Sequence, residues 1–253
     1  MGSFASELNL PEVKREDGEA KIQKFTYFIF APTLLYRDQY AMRAKSDWRF
    51  IGTNAIEFLF GIYYSFILFR IYLQPKFIII GKENTWNNVL IMAIFQTMLP
   101  SFLSLFILFY IVVHNWQNMW AELLRFPDRR FYEDWWNSMN MREFIRKFIT
   151  LNHEWLYTHV YVDLMRFSAG KISRKMSQFI TFVFSCLIHL CVISFSLGFV
   201  EFDQYLIFSF VAYLSTNRGS MKKHEFNILF WIEISIGMSL MMTMYSRDYY
   251  RIK

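Results

Sequence analysis

One ionisable ring sits in the middle of an otherwise apolar run: His189, within Phe184-Ser185-Cys186-Leu187-Ile188-His189-Leu190-Cys191. An imidazole is costly to bury there, which makes it a functional-site candidate by default. Neutral near pH 7, it can take the proton of a hydroxyl as that oxygen attacks a carbonyl carbon. Burial keeps the ring neutral, and exclusion of water protects a reactive acyl donor such as a thioester. Ser185 precedes His189 by four residues, so helical geometry places both on one face. There its hydroxyl would orient the ring or polarise the thioester carbonyl. The plainer alternatives are a histidine bonded to a backbone carbonyl or a neighbouring helix, and a serine bonded back to its own helix. A second histidine, His153, lies in Asn152-His153-Glu154-Trp155-Leu156, where a solvated or structural role is the stronger reading. The sequence has no GxSxG, no P-loop pattern, no HExxH and no Cys/His metal spacing, so hydride, phosphoryl and metal chemistry are not indicated. No metal and no cofactor are expected.

The elements that must position these residues read as membrane helices. The chain has 253 residues, 55% of them hydrophobic and 21% aromatic, whereas soluble domains sit nearer ~45–50% apolar. Strong span candidates cover residues 50–73, 89–113, 176–200 and 226–245, with a shorter apolar run at 204–216. None alternates as a barrel strand would. Glu57 and Glu233 are acids inside spans and must pair or lie near an interface. Gln74-Pro75 ends the first span, and 76–88 reads as a loop. Pro100 predicts a kink in the second span, which continues amphipathically to Leu124. Asn115, Asn118, Glu122 and Asp128 read as packing and hydrogen-bonding residues. Arg142 to Leu164 has apolar residues at helical spacing, which predicts one or two interfacial helices. Residues 25–36 are too short to span and read as interfacial or re-entrant. Residues 1–24 read as a polar tail, leaving 25–253 as one membrane domain. Met1-Gly2-Ser3-Phe4-Ala5-Ser6 fits the N-myristoylation pattern, as a chance match would. Cys186 and Cys191 read as small apolar helix residues. The formal net charge is +6, concentrated in the connections and in the basic loop 218–225. That pattern is the positive-inside arrangement, with some cations free to hold a phosphate-rich co-substrate.

The most unusual stretch runs from Arg125 to Asn137 and includes Phe131-Tyr132-Glu133-Asp134-Trp135-Trp136-Asn137. It resembles the signature of the sterol and diacylglycerol acyltransferase branch of the membrane-bound O-acyltransferases. The similarity covers about residues 25–251 in order. Phe30-Ala31-Pro32-Thr33-Leu34-Leu35-Tyr36-Arg37-Asp38-Gln39-Tyr40 is similar to a stretch of the sterol O-acyltransferases. So are Ala121 to Phe126, His153-Glu154-Trp155-Leu156, and Tyr245-Ser246-Arg247-Asp248-Tyr249-Tyr250. The resemblance implies an all-α, polytopic transmembrane helical bundle with interfacial helices in the endoplasmic reticulum membrane. It implies transfer of a fatty acyl group from acyl-CoA to the 3-hydroxyl of a sterol, and assembly as a homodimer or tetramer.

By the same resemblance His189 matches the family's catalytic histidine and Ser185 the serine before it. Arg146 and Tyr161 match positions that contact acyl-CoA. His153 belongs to the same matched segment, and Lys171 or Arg174 would meet the nucleotide end. Phe131, Tyr132, Asp134, Trp135, Trp136 and Asn137 form the signature loop near the acyl-CoA entrance. The chain departs from the pattern in three places. Leu190 replaces the usual Glu after the histidine. Phe148-Ile149 replaces a Trp-Asn pair whose Asn positions the thioester, a role Asn152 would assume only on a register shift. Family members also carry further transmembrane helices before the Ala-Pro-Thr-Leu stretch, which implies a fragment or a minimal form here. The alternatives are a diacylglycerol O-acyltransferase, a catalytically impaired lipid-binding relative, and, more weakly, a membrane scaffold without ligand.

Overall fold

The computed structural model describes residues 18–37, 39–81, 88–169, 171–200, 205, 206, 209, 210, 213 and 223–252, and these are mostly helical without a strand among them. Helix α1 spans Gly18–Phe30 and so begins inside the stretch read as a tail. Helix α2 spans Trp48–Gly81 and α3 Asn88–Leu123. Two interfacial helices follow, α4 at Met141–Phe148 and α5 over 150–167. Helix α6 spans Arg174–Leu197 and α7 Lys223–Ile252. Four helices, within α2, α3, α6 and α7, are long and apolar enough to cross a membrane. The N-myristoylation pattern and the basic loop up to Lys222 lie outside the described residues.

Local chemistry sets most helix ends. Asp47 caps α2 by accepting from the Arg49 and Phe50 N–H groups at 3.0 and 3.2 Å, which satisfies two orphan donors. Asn140 caps α4 through the Glu143 N–H, and the Glu143 carboxylate accepts from Met139 N–H in return. Ser173 caps α6, and Gly198 ends it at φ 77°, a left-handed position where glycine carries no steric cost.

The first span does not stop at Pro75. A π-helical stretch at Leu68–Leu73 leads directly into Gln74–Gly81, and Gln74 N–H reaches Phe69 O instead of an i−4 carbonyl. The widened turn accommodates the proline. Packing supplies the reason to continue: Phe77 and Ile80 are buried with Leu73, Leu90 and Ala93. A Cβ on Gly81 would collide with Tyr250, so α2 and α7 touch backbone to side chain there. Between α3 and α7, the Thr97 hydroxyl meets Ser239 at 2.9 Å and Thr243 at 3.2 Å, a buried polar contact of the kind that joins membrane helices.

Helices α6 and α7 run the same way. The end of α6, with Leu190, Ile193 and Leu197, packs near Tyr245 and Met241 late in α7. The start of α7 lies by the signature loop, where the Asn227 amide donates to Trp136 O. Tyr205 packs with Leu190 and Tyr245, while Tyr213 packs on Phe179 and Phe182 early in α6. Most of the shorter apolar run lies outside the described residues. The end carrying Arg125, Arg129, Arg130, Arg146 and Lys147 is strongly basic.

Glu122 ties that basic end together. Its side chain is 1% exposed. It accepts from Arg43 Nη1 at 2.8 Å and from the Asp47 N–H at 2.7 Å, and it pairs with Arg129. Arg129 also lies over the Phe50 ring, 5.0 Å from its centroid. Replacing Glu122 with Gln removes the charge while keeping the shape. The expected loss is about 2–4 kcal/mol, moderated because both arginines remain partly hydrated. Unfolding in lipid nanodiscs checks this, with proteolysis between residues 124 and 140 expected to rise in parallel.

Candidate active site

His189 lies on an exposed face of α6. Its Nδ1 is 2.7 Å from the Ser185 backbone oxygen. A carbonyl can only accept, so Nδ1 must carry the proton. In the neutral ring Nε2 then holds the free lone pair, the state a general base requires. Ser185 thus orients the imidazole through its backbone, so its hydroxyl is not the ring's orienting partner. Leu190 points elsewhere: it is buried against Tyr205 and Tyr245. That packing explains how an apolar residue is accommodated where the resemblance leads one to expect Glu.

The acyl-CoA candidates fall partly together. Arg146 ends α4, and His153 opens the first turns of α5. His153, Tyr157 and Tyr161 form a ladder along α5, with ring centroids 6.4 and 5.5 Å apart and planes within 11° and 21°. The π-helical stretch Leu156–Val162 widens this helix where Tyr161 sits, and such turns recur at functional sites. Burial, reinforced by the Arg146 cation, lowers the His153 pKa below the usual histidine range. Lys171 and Arg174 lie beyond the end of α5, exposed at the turn into α6. Asn152 is exposed one turn after Ile149, while Ile149, extended at φ −138°, separates α4 from α5 and packs on the cluster around Phe131. Helix α6 meets α5 through Phe184 and Trp155, stacked at 6.3 Å. His189 and the ladder are thus carried by adjoining helices, without direct contact between them.

The signature loop is pinned at nearly every residue. Phe131 is buried with Ala31, Val113, Ala121 and Phe126. Tyr132 meets His114 Nδ1 at 2.7 Å. Asp134 pairs with Lys147 at 2.7 Å, and Lys147 with Glu143 at 2.9 Å; these bonds raise the Lys147 pKa. Trp135 is 2% exposed and lies within 6 Å of Phe106, Phe109, Phe144, Phe148 and Trp231. Trp136 and Asn137 are exposed. The loop backbone is held as well, with Glu133 N–H on Lys147 O at 2.9 Å and Thr150 N–H on Phe131 O at 3.0 Å.

Residues 22–247 match the model of the membrane-bound O-acyltransferase family. The chain belongs to that family. It is 30% identical over 257 residues to sterol O-acyltransferase 1 of Mus musculus, covering 98% of this chain and 47% of that protein. It is 30% identical over 229 residues to sterol O-acyltransferase 2 of Homo sapiens, covering 89% of this chain and 44% of that protein. The chain spans about half the length of these curated relatives.

One feature of this membrane-bound O-acyltransferase escaped the reading of its sequence. His114 stacks on Tyr110 at 5.1 Å and 15° within the π-helical stretch Tyr110–Trp116, and it bonds Tyr132 of the signature loop. The rule that singled out His189, an ionisable ring in an apolar run, applies to His114 equally. The pKa shift of His153 offers a direct check of the α4–α5 geometry. Arg146→Gln should raise the His153 pKa toward the usual value while burial still holds it below. Histidine-selective NMR titration reads this, and an unmoved pKa would separate the two side chains.

Proposed function

We propose that this membrane-bound O-acyltransferase moves a fatty acyl group from acyl-CoA to the 3-hydroxyl of a sterol. The observation that supports the mechanism is the 2.7 Å contact of His189 Nδ1 with the Ser185 backbone oxygen, the bond expected on the plainer reading as well, which leaves Nε2 free. With Nδ1–H held by the Ser185 carbonyl, Nε2 takes the sterol hydroxyl proton as that oxygen attacks the thioester carbon. The carbon–oxygen ester bond forms, the carbon–sulfur bond breaks, and coenzyme A leaves as the thiol after receiving the proton. Arg146, His153 and Tyr161 hold the acyl-CoA along α5, with Lys171 and Arg174 toward its nucleotide end. Acyl-CoA is a co-substrate, and no other cofactor is needed. The sterol acceptor is favoured by the similarity to sterol O-acyltransferases 1 and 2 over most of this chain. In this reading the protein works as a homodimer or tetramer in the endoplasmic reticulum membrane.

A second reading, a lipid-binding relative without turnover, is favoured by Leu190 and Ile149, which are spent on packing. Labelled acyl-CoA incorporation into sterol ester separates the two, with diacylglycerol as a competing acceptor. His189→Ala is expected to lower turnover by ~10²–10⁴-fold, the usual worth of a general base. Ser185→Ala keeps the carbonyl that orients the ring, so its expected loss is about tenfold, the contribution of the hydroxyl alone. Unchanged turnover in His189→Ala would remove that residue from the mechanism. Acyl-CoA binding without product from either acceptor would favour the second reading.

A further inference from the structure

A pocket that His189 does not line lies where the connection after α1 meets α5. Its volume is about 380 Å³, within the range of small-molecule sites. Phe28 and Leu34 give it an apolar side, and Tyr36, Arg37, Thr158 and His159 a polar one. The wall that follows α1 is held in shape. Phe28 meets Tyr36 edge to face at 5.4 Å. The Tyr40 hydroxyl accepts from Arg37 N–H at 2.9 Å and donates to Leu35 O at 3.4 Å. The opposite wall comes from the π-helical stretch Leu156–Val162. Thr158 and His159 follow Tyr157 by one and two positions, so they leave the helix in other directions than the His153–Tyr157–Tyr161 ladder.

Neighbouring contacts set the depth and charge of this pocket. The Tyr27 hydroxyl bonds Leu124 O at 3.1 Å, and Arg43 N–H bonds Arg125 O at 2.9 Å. These bonds bracket residues 28–37 and place them level with the last turn of α3, where the apolar span gives way to arginines. That is headgroup depth. Arg37, Thr158 and His159 are exposed, so the pocket is open to what lies beside it. Among the described residues no carboxylate lines it, and the Arg37 guanidinium has no ion pair there. Asp128 lies in the field of Arg37 but is taken by Arg130 at 3.2 Å. The His159 ring packs on Trp155 at 5.9 Å, and its nitrogens have no hydrogen bond among the described residues.

The geometry points to a site for phosphatidic acid, a lipid whose whole headgroup is a phosphate monoester. Such a phosphate carries about −1.5 to −2 charge near pH 7 and has three acceptor oxygens. The planar Arg37 fork meets two of them, and His159 and the Tyr36 hydroxyl donate to what remains. Headgroups with choline, ethanolamine or serine bring an ammonium that no lining carboxylate receives and that Arg37 repels. A free phosphate gains nothing from the apolar side, whereas acyl chains lie along Phe28 and Leu34. The site does not depend on acyl transfer to a sterol.

The full chain in phosphatidylcholine nanodiscs is labelled with photoreactive phosphatidic acid, phosphatidylserine and phosphatidylcholine, and mass spectrometry maps the adducts. Phosphatidic acid is expected to label residues 28–37 and 155–162 about tenfold better than either other probe, the effect of one charge-assisted hydrogen bond. Arg37→Gln is expected to remove that preference. Lys45→Gln, at an exposed lysine outside the pocket, is expected to keep it. An equal fall in both variants means diffuse attraction of anionic lipid to the basic end and overturns the site. So does equal labelling by phosphatidic acid and phosphatidylserine, or a preference that survives Arg37→Gln. Millimolar inorganic phosphate and excess oleoyl-CoA are each expected to leave the adducts in place. Loss to phosphate means a free-anion site, and loss to the thioester puts the pocket on the acyl-CoA path; either result overturns the lipid site. If Arg37→Gln does not fold, the three probes on the native chain decide.

Discussion

The buried carboxylate of Glu122 is the constraint on which the basic end of this bundle depends. It sits in the last turn of α3 and is almost wholly removed from solvent. A charge in that position is tolerable only when it is paired and hydrogen-bonded. It draws two separate stretches to itself: the connection before α2, through Arg43 and the Asp47 N–H, and Arg129 ahead of the signature loop. Asp47 in turn caps α2. The chain then leaves α3 through Arg125, which takes a left-handed backbone at φ 56°, an uncommon conformation for a side chain of this size. Phe126 N–H on Ala121 O and Arg125 N–H on Glu122 O close that turn. The same residue therefore ends one helix, positions the start of another and aims the loop between them.

Past that turn, aromatic packing takes over. Trp135 fills the junction of α3, α4 and α7, and Phe131 fills the neighbouring junction with Ala31 and Phe126. Rings of this size bury much area and meet edge to face or offset, so a loop with no long helix of its own becomes rigid. Lys147, held by Asp134 and Glu143, closes the outer side. The loop is best understood as the joint that fixes α4 and α5. Those helices carry Arg146, His153 and Tyr161.

The helix that carries His189 is built with fewer contacts. Helix α6 is held by Leu190, Ile193 and Leu197 against the late part of α7 and by Phe184 against Trp155. His189, four residues before Ile193, sits beside this packed face and is itself exposed. Its ring orientation is a property of the helix itself, since the carbonyl one turn earlier is always present at that spacing. This separates two questions. The orientation of the ring is set locally, whereas the environment into which it projects is set by whatever lies over that face of α6.

By itself the sequence determined the membrane-helical class, the main apolar spans, and the family through Phe131 to Asn137. Those features depend on hydropathy and short spacings, which act within a few residues. It also marked His189 and Glu57, because an ionisable group in an apolar run stands out without knowing its neighbours. The tertiary structure alone decided the rest. Residues 76–81 became helix because Phe77 and Ile80 found a buried cluster contributed by α3. Residues 18–24 joined α1, whose Tyr27 hydroxyl reaches Leu124 O across ninety-seven positions. His114 gained meaning only when folding placed Tyr132 beside it, and Glu122 only when Arg43 and Arg129 converged on it. Contacts between residues far apart in the chain carry no local signature, so burial and charge pairing had to assign them.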